Sequence, residues 1–313
     1  MTLDFFYNWY IFAKRKRGIP FERVVINGIH RDFIKMIANL SLTRSYRKSS
    51  GDSQYALAPS DKSSGRIVVS LTTIPSRIKR LWLVVETILR QSQKPDIIVL
   101  WLSKEQFADL STLPKELLAQ QSRGLKIELR EGNVKVHTKY HYALAEYADD
   151  IVITVDDDIF YRSDMISTLM EYHRANPGAV IANRARPLMF NSEGELLPYN
   201  DWPMSQEGAS QINMQTGVGG VLYPPRVLYK DILNIDLALK LAPFADDLWL
   251  FVMARLANCP VVCTDLMRIM IDVPNMGGEK LMKMNVKESR NDIQIRALRD
   301  YYMNELGIDP FAK

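Results

Sequence analysis

Cysteine is nearly missing from this chain: Cys259 and Cys263 are the only two in 313 residues. Separated by Pro260, Val261 and Val262 in an apolar stretch, they form neither a disulfide framework nor a zinc pattern. A buried, reduced pair in a cytosolic protein is expected. An excess of one charge is lacking too. Forty Lys and Arg face 36 Asp and Glu, a formal net of +4, so no global field calls for nucleic acid as a partner. No internal repeat is present.

The N-terminus lacks the order of a signal peptide. Aromatic and apolar residues (Phe5, Phe6, Tyr7, Trp9, Tyr10, Ile11, Phe12) come first and the basic run Lys14-Arg15-Lys16-Arg17 follows, with no small-residue cleavage site. The segment is also shorter than the ~20 apolar residues that span a bilayer. Two readings stay open: an aromatic-basic segment peripheral on an anionic, cytoplasmic membrane face, or a helix docked on the protein's own core.

Hydrophobic residues make up 47% of the chain, enough for a substantial core. Three regions are expected: a helical aromatic-basic extension over 1–43, a Ser-, Lys- and Arg-rich linker over 44–65, and a main domain over 66–313. Ile67 to Leu71, Asp96 to Leu102, Leu125 to Leu129 and Ile151 to Val155 read as strands. A helix from about Pro75 to Gln91 and another from an N-cap at Thr138 to Tyr147 separate them. Ser163 to Asn176, Phe244 to Ala257 and Asn291 to Leu306 read as helices, and Ala179 to Ala182 and Val261 to Thr264 as strands. Pro187 to Gln215 reads as a polar excursion. Alternating strands and helices predict an α/β fold with a mainly parallel central sheet flanked by helices, which binds ligands beyond the strands' carboxyl ends.

Asp156-Asp157-Asp158 stands at such an end. Three adjacent carboxylates repel one another, and a divalent cation resolves the repulsion. Oxygen ligands suit Mg²⁺ or Mn²⁺, which keep positions for waters and phosphates. On an extended chain Asp156 and Asp158 share one side while Asp157 points away. Gly217, Gly219 and Gly220 permit close approach of a ligand. Asp246-Asp247 open an apolar helix, where an acidic pair is also favoured by the helix dipole.

In order, VSLTTIPSRI, KYHYALAEYADDIVITVDDDI, TGVGGVLYPP and FADDLWLFVMARL resemble the motifs of GT-A-fold nucleotide-sugar glycosyltransferases, nearest to bacterial enzymes of surface polysaccharide assembly. The resemblance spans about Arg66 to Thr264. It implies a Rossmann-like GT-A domain and a UDP-sugar donor with a glycan or lipid-linked glycan acceptor. It also implies donor contacts from Thr72, Thr73, Pro75, Arg77, Lys139, Asp156 and Asp157. Asp158 becomes the principal metal ligand for Mn²⁺ or Mg²⁺, with Asp156 beside it. Asp247 becomes the base of an inverting transfer, with Asp246 as neighbour, and Gly219, Gly220 and Trp249 face the acceptor. Many relatives use a late histidine ligand, but His30, His137, His141 and His173 all precede the acceptor motifs, leaving waters or a late Asp or Asn, such as Asp272 or Asn275, as substitutes. A basic, glycine-bearing segment from Asp272 to Asn291 fits a lid over a diphosphate. Two alternatives from other classes are a metal-dependent phosphohydrolase and a non-catalytic glycan- or nucleotide-binding module.

Overall fold

The computed structural model describes residues 2–15, 21–58, 65–203, 208–264, 266, 270–274 and 290–313, with side chains throughout except at 13–15 and 21–29. Its centre is an eight-stranded, mostly parallel sheet. The parallel half consists of β1 (Ile67–Thr72), β2 (Ile97–Ser103), β3 (Leu125–Arg130) and β4 (Ile151–Thr154). Every residue of β2 is buried, as expected of a strand covered on both faces. Val69 and Leu71 pack into one apolar cluster and Val68 into another, the period-2 alternation of a pleated strand.

From residue 180 onward the sheet continues with β6 (Val180–Ala182), β8 (Gly208–Ser210), β10 (Val221–Tyr223) and β11 (Val261–Cys263). The strand order is β3-β2-β1-β4-β10-β6-β11-β8. β10 runs antiparallel between β4 and β6, so the stretch after Gly220 is a central strand of the sheet. The region 187–215, expected as a plain excursion, contributes β8 to the sheet edge and β9 (Asn213–Gln215) to a ribbon with β7 (Ala185–Pro187).

Flanking helices are α3 (Ile78–Leu89), α4 (Lys115–Ala119), α5 (Thr138–Glu146), α6 (Met165–Ala175), α7 (Ile235–Leu241), α8 (Asp246–Leu256) and α9 (Arg290–Leu306). Thr138 is not the N-cap of α5. It is the helix's first residue, and its hydroxyl donates to the Lys135 carbonyl at 2.7 Å. Pro75 likewise precedes α3, in an exposed turn.

The N-terminal extension consists of α1 (Leu3–Arg15) and α2 (Phe21–Lys48). α2 continues past the expected boundary at residue 43, and Tyr46 is buried in the main core, so residues 44–48 are helix rather than linker. Residues 59–64 of the expected linker lie outside the described residues. α1 is docked: Leu3, Phe6 and Tyr7 belong to the same cluster as β1 and α3. Removing those three from water contributes several kcal/mol, on the order of 2 kcal/mol per large side chain.

Tyr7 ties this helix to the middle of the chain. Its hydroxyl donates to the Phe160 carbonyl at 2.6 Å and accepts from the Ile271 amide at 3.1 Å. Those partners belong to β5 (Ile159–Phe160) and β12 (Ile271–Asp272), a two-stranded ribbon directly after Asp156-Asp157-Asp158. Tyr7→Phe orphans a buried carbonyl and a buried amide together. The expected cost is about 1–3 kcal/mol of unfolding free energy, measured by urea denaturation; an unchanged midpoint would show the hydroxyl to be dispensable.

Candidate functional site

The chain leaves β1 for β2 and β3 on one side, then returns to add β4 on the other side of β1. Strand order therefore reverses between β1 and β4, which lie parallel with Ser70 opposite Thr154. At such a reversal the two outgoing connections part and leave a crevice beyond the carboxyl ends. Thr72 to Arg77 leave β1 at that crevice, and Asp156 to Asp158 leave β4.

The loops meet through charge. Arg77 donates to Asp157 Oδ1 at 2.6 Å and lies 3.3 Å from Asp158 Oδ2. Thr73 Oγ1 donates to Asp157 Oδ2 at 2.6 Å. Asp157 and Asp158 thus share one guanidinium, while Asp156 turns to Lys139, whose Nζ donates to its Oδ1 at 2.7 Å. β4 ends at Thr154 and the chain bends through Asp157 and Asp158, with Asp157 the one held by both Thr73 and Arg77 and Asp156 acting more strongly than Asp157 on the Asp158 carboxyl. The bend is fixed from behind by Tyr161, whose hydroxyl accepts from the Asp156 amide at 2.7 Å.

Lys139 also lies 3.1 Å from Asp246 Oδ2, so one buried ammonium joins the β4 aspartates to the first turn of α8. Next to it, Asp247 Oδ1 accepts the Gly217 amide at 2.8 Å. A β-carbon on Gly217 would stand 2.9 Å from both Asp247 Oδ1 and Lys139 Nζ, leaving no room for a side chain. Gly217 enters this position from a tight turn. Gly219 and Gly220 hold φ of 106° and 96°, values open to glycine, and Asn183 Nδ2 donates to the Gly219 carbonyl at 3.0 Å.

Carboxylates outnumber cations here. Arg77 pairs with Asp157 and Asp158, Lys139 pairs with Asp156 and Asp246, and Asp247 lies in the field of Lys139. Burial, then repulsion from Asp156 and Asp157, pushes the Asp158 carboxyl up to about 6. Burial, then Asp246, raises Asp247 above the usual carboxylate range despite Lys139. Burial alone would lower the Lys139 ammonium, but Asp156, Asp246 and Asp247 outweigh it and hold it well above its ordinary value. A surplus of desolvated oxygen donors with raised proton affinity fits a hard divalent cation. Among the described residues, though, no three His, Cys, Asp or Glu side chains are already gathered around one point. The Asp158 and Asp156 side chains remain reachable from solvent, 24% and 27% exposed.

The remaining expected residues divide. Thr72 Oγ1 donates to the Trp101 carbonyl at 2.8 Å, and Pro75 is exposed at the crevice turn. Trp249 is fully buried, with its indole against the α7–α9 cluster and Nε1 donating to the Ile232 carbonyl at 3.4 Å. It presents no face to a sugar. The spacing with Phe251 and Met253 marks the core side of α8, and burial decides its role. Gly219 and Gly220 are buried parts of the turn that carries Gly217. Asp272 pairs with Lys35 at 3.5 Å and adds to the repulsion felt by Asp158. Asn275 and most of the expected lid, residues 275–289, lie outside the described residues.

Sequence reasoning missed Tyr161, the arginines of the β7 edge, and Gln215, whose Nε2 donates to the Asp247 carbonyl at 3.5 Å. Arg184 lies in the field of Asp247. Its carbonyl accepts the Thr216 amide at 3.0 Å, and Arg186 stacks over Tyr199 at 4.9 Å. Their alternation around Ala185 is the one signal that pointed to a common strand face.

No protein-family model matches the chain, and no curated protein does. Solved structures give distant likenesses. A mannosyltransferase from Pyrobaculum calidifontis in complex with GDP-Man and Mn²⁺ is 14% identical, with TM-score 0.46 over 84% of this chain and 72% of that one. A CMP:2-keto-3-deoxy-manno-octonic acid synthetase complexed with CTP is 12% identical, with TM-score 0.42 over 73% and 98%. A 4-diphosphocytidyl-2C-methyl-D-erythritol synthase from Anaerococcus prevotii is 15% identical, with TM-score 0.43 over 72% and 97%. Similarity this low transfers no activity to the chain.

The raised Asp158 carboxyl has a stability consequence. Its folded value exceeds the unfolded one, so protonation favours the folded state. The group is neutral in effect below about pH 4 and destabilising as pH rises through 6. Asp158→Asn, measured without divalent ions, should therefore match the parent at pH 4 and exceed it by about 2 kcal/mol at pH 7. A constant difference across that range would contradict the assignment.

Proposed function

We propose that this protein is a glycosyltransferase that moves a sugar from a nucleoside diphosphate donor, UDP by the motif resemblance, to a hydroxyl of a glycan or lipid-linked glycan. The observation that carries the reading is Lys139, which brings the Asp156–Asp158 bend and the Asp246–Asp247 pair together at the strand-order reversal. One cluster suits the charged leaving group, and the other supplies a base within the same crevice.

A Mn²⁺ or Mg²⁺ ion would be held by Asp158, with Asp156 as the second oxygen donor. When bound, it supplies charge neutralisation to a diphosphate. The chain's own groups account for the rest. Arg77 and Lys139 are positioned to exchange aspartate for phosphate oxygens and so to stabilise the departing nucleoside diphosphate. Thr72, Thr73 and Pro75 line the donor side. Asp247 is the base: one carboxylate oxygen is fixed by the Gly217 amide, and its raised proton affinity suits removal of a hydroxyl proton. Attack from the side opposite the leaving group inverts the anomeric carbon.

A panel of nucleotide sugars, assayed for nucleotide release with and without acceptor and Mn²⁺, tests the reading. Acceptor-dependent release is expected; release that is independent of acceptor would identify a hydrolase instead. With the active donor, Asp247→Asn should reduce kcat by about 10²–10⁴-fold while nucleotide binding persists. Product stereochemistry by NMR checks the base role, since retention would remove Asp247 from it. Gly217→Ala, through the displacement that its β-carbon forces on Asp247 and Lys139, should cost about 10²-fold in kcat with little change in melting temperature. Full activity in that variant would disconnect Gly217 from the site.

A further inference from the structure

The outer side of the N-terminal helices carries apolar surface that the core does not use. On α1, Phe5, Trp9 and Phe12 follow at i, i+4 and i+7, with Phe12 63% exposed. On α2, Phe33, Met36 and Leu40 repeat that face, with Leu40 62% exposed. The two stripes join where the Trp9 ring meets the His30 ring at 5.8 Å. Leu3, Phe6, Tyr7, Ile34, Ala38 and Leu42 occupy the inner side; Trp9 is half-buried and packs against that core, while Phe5, Phe12, Phe33, Met36 and Leu40 are exposed outside it.

Charge follows the same segment. Residues 1–48 hold ten Lys and Arg against three Asp and Glu, a net of +7, whereas the remainder of the chain sums to −3 to give the overall +4. Arg44, four residues beyond Leu40 on the same stripe, and Lys48 are exposed. No helix among the described residues is long and apolar enough to cross a membrane. Exposed aromatics with a concentrated positive field match a surface that is apolar beneath an anionic layer.

We infer that the outer face of α1 and α2 docks on an anionic lipid bilayer, with the helices lying in the interface. A second copy of the chain fits less well, since two faces each belonging to a +7 segment repel on meeting. The helices that carry this face are tied through Tyr7 and Lys35 to the β5–β12 ribbon, which follows the acidic bend.

The test uses the full chain with sedimenting vesicles of phosphatidylcholine alone or mixed with phosphatidylglycerol. Binding to the mixed vesicles is expected, weakened by high salt and by omission of phosphatidylglycerol. The triple variant Phe33→Ser, Met36→Ser, Leu40→Ser should lose at least about tenfold in partitioning. Should that variant melt early, Arg44→Glu with Lys48→Glu, both at exposed positions, must lower binding to the mixed vesicles instead. Three results would overturn the inference: no vesicle binding by the parent chain, equal binding by the variants, or a concentration-dependent dimer abolished by the triple change without vesicle binding. Nucleotide release on a water-soluble acceptor reports separately on the transferase reading.

Discussion

The buried Lys139 ammonium is the interaction on which the crevice depends. Five carboxylates gather at the ends of two elements far apart in sequence, and each approach would be repulsive without a cation among them. Lys139 reaches Asp156 after β4 and Asp246 at the start of α8, with Asp247 close enough to reinforce its charge. Burying that charge is costly alone and tolerable only because the partners surround it. Its helix is held in turn: the Ser70 hydroxyl donates to the Lys139 carbonyl and accepts from Trp101 Nε1, so the residue is fixed to β1 and β2.

The arrangement is electrostatically incomplete. Two cations, Arg77 and Lys139, pair directly with four acids and Asp247 stands beside them as a fifth; burial and this surplus raise the proton affinities of Asp158 and Asp247. For the proposed transferase this serves two ends at once. Surplus oxygen donors near Asp158 attract a divalent ion and its diphosphate, and surplus negative charge around Asp247 strengthens it as a base. A helix N-terminus tempers the acidic pair through its dipole without supplying a full charge.

Precision comes from backbone rather than from further side chains. The Gly217 amide fixes Asp247, and the absent β-carbon is what lets Lys139 and Asp247 sit side by side. On the other side, Tyr161 fixes the Asp156 amide, and Tyr7 fixes the ribbon that follows. The N-terminal helices are thereby part of the site's support. What contacts their outer face therefore acts on a body rigidly joined to the Asp158 loop.

The sequence by itself determined the α/β layout, because parallel strands covered on both faces read as apolar runs, and IVVSL, DIIVLWL and IVITV carry one polar residue each. It also located the acidic bend and the acidic helix start, since carboxylates at the end of an apolar strand need a reason to be there. Tertiary structure alone decided which aspartate meets which cation. β4 ends before the acidic run, and contacts from other elements put Arg77 on Asp157 and Asp158 and Lys139 on Asp156. Trp249 left its expected place facing an acceptor, and Tyr7 took the core side of the two readings open to the N-terminal segment, because an aromatic ring carries no mark of whether solvent or a neighbouring helix covers it. That the inner face of α2 would meet the ribbon after the acidic bend followed from contacts more than 200 residues apart in sequence, which no local pattern encodes.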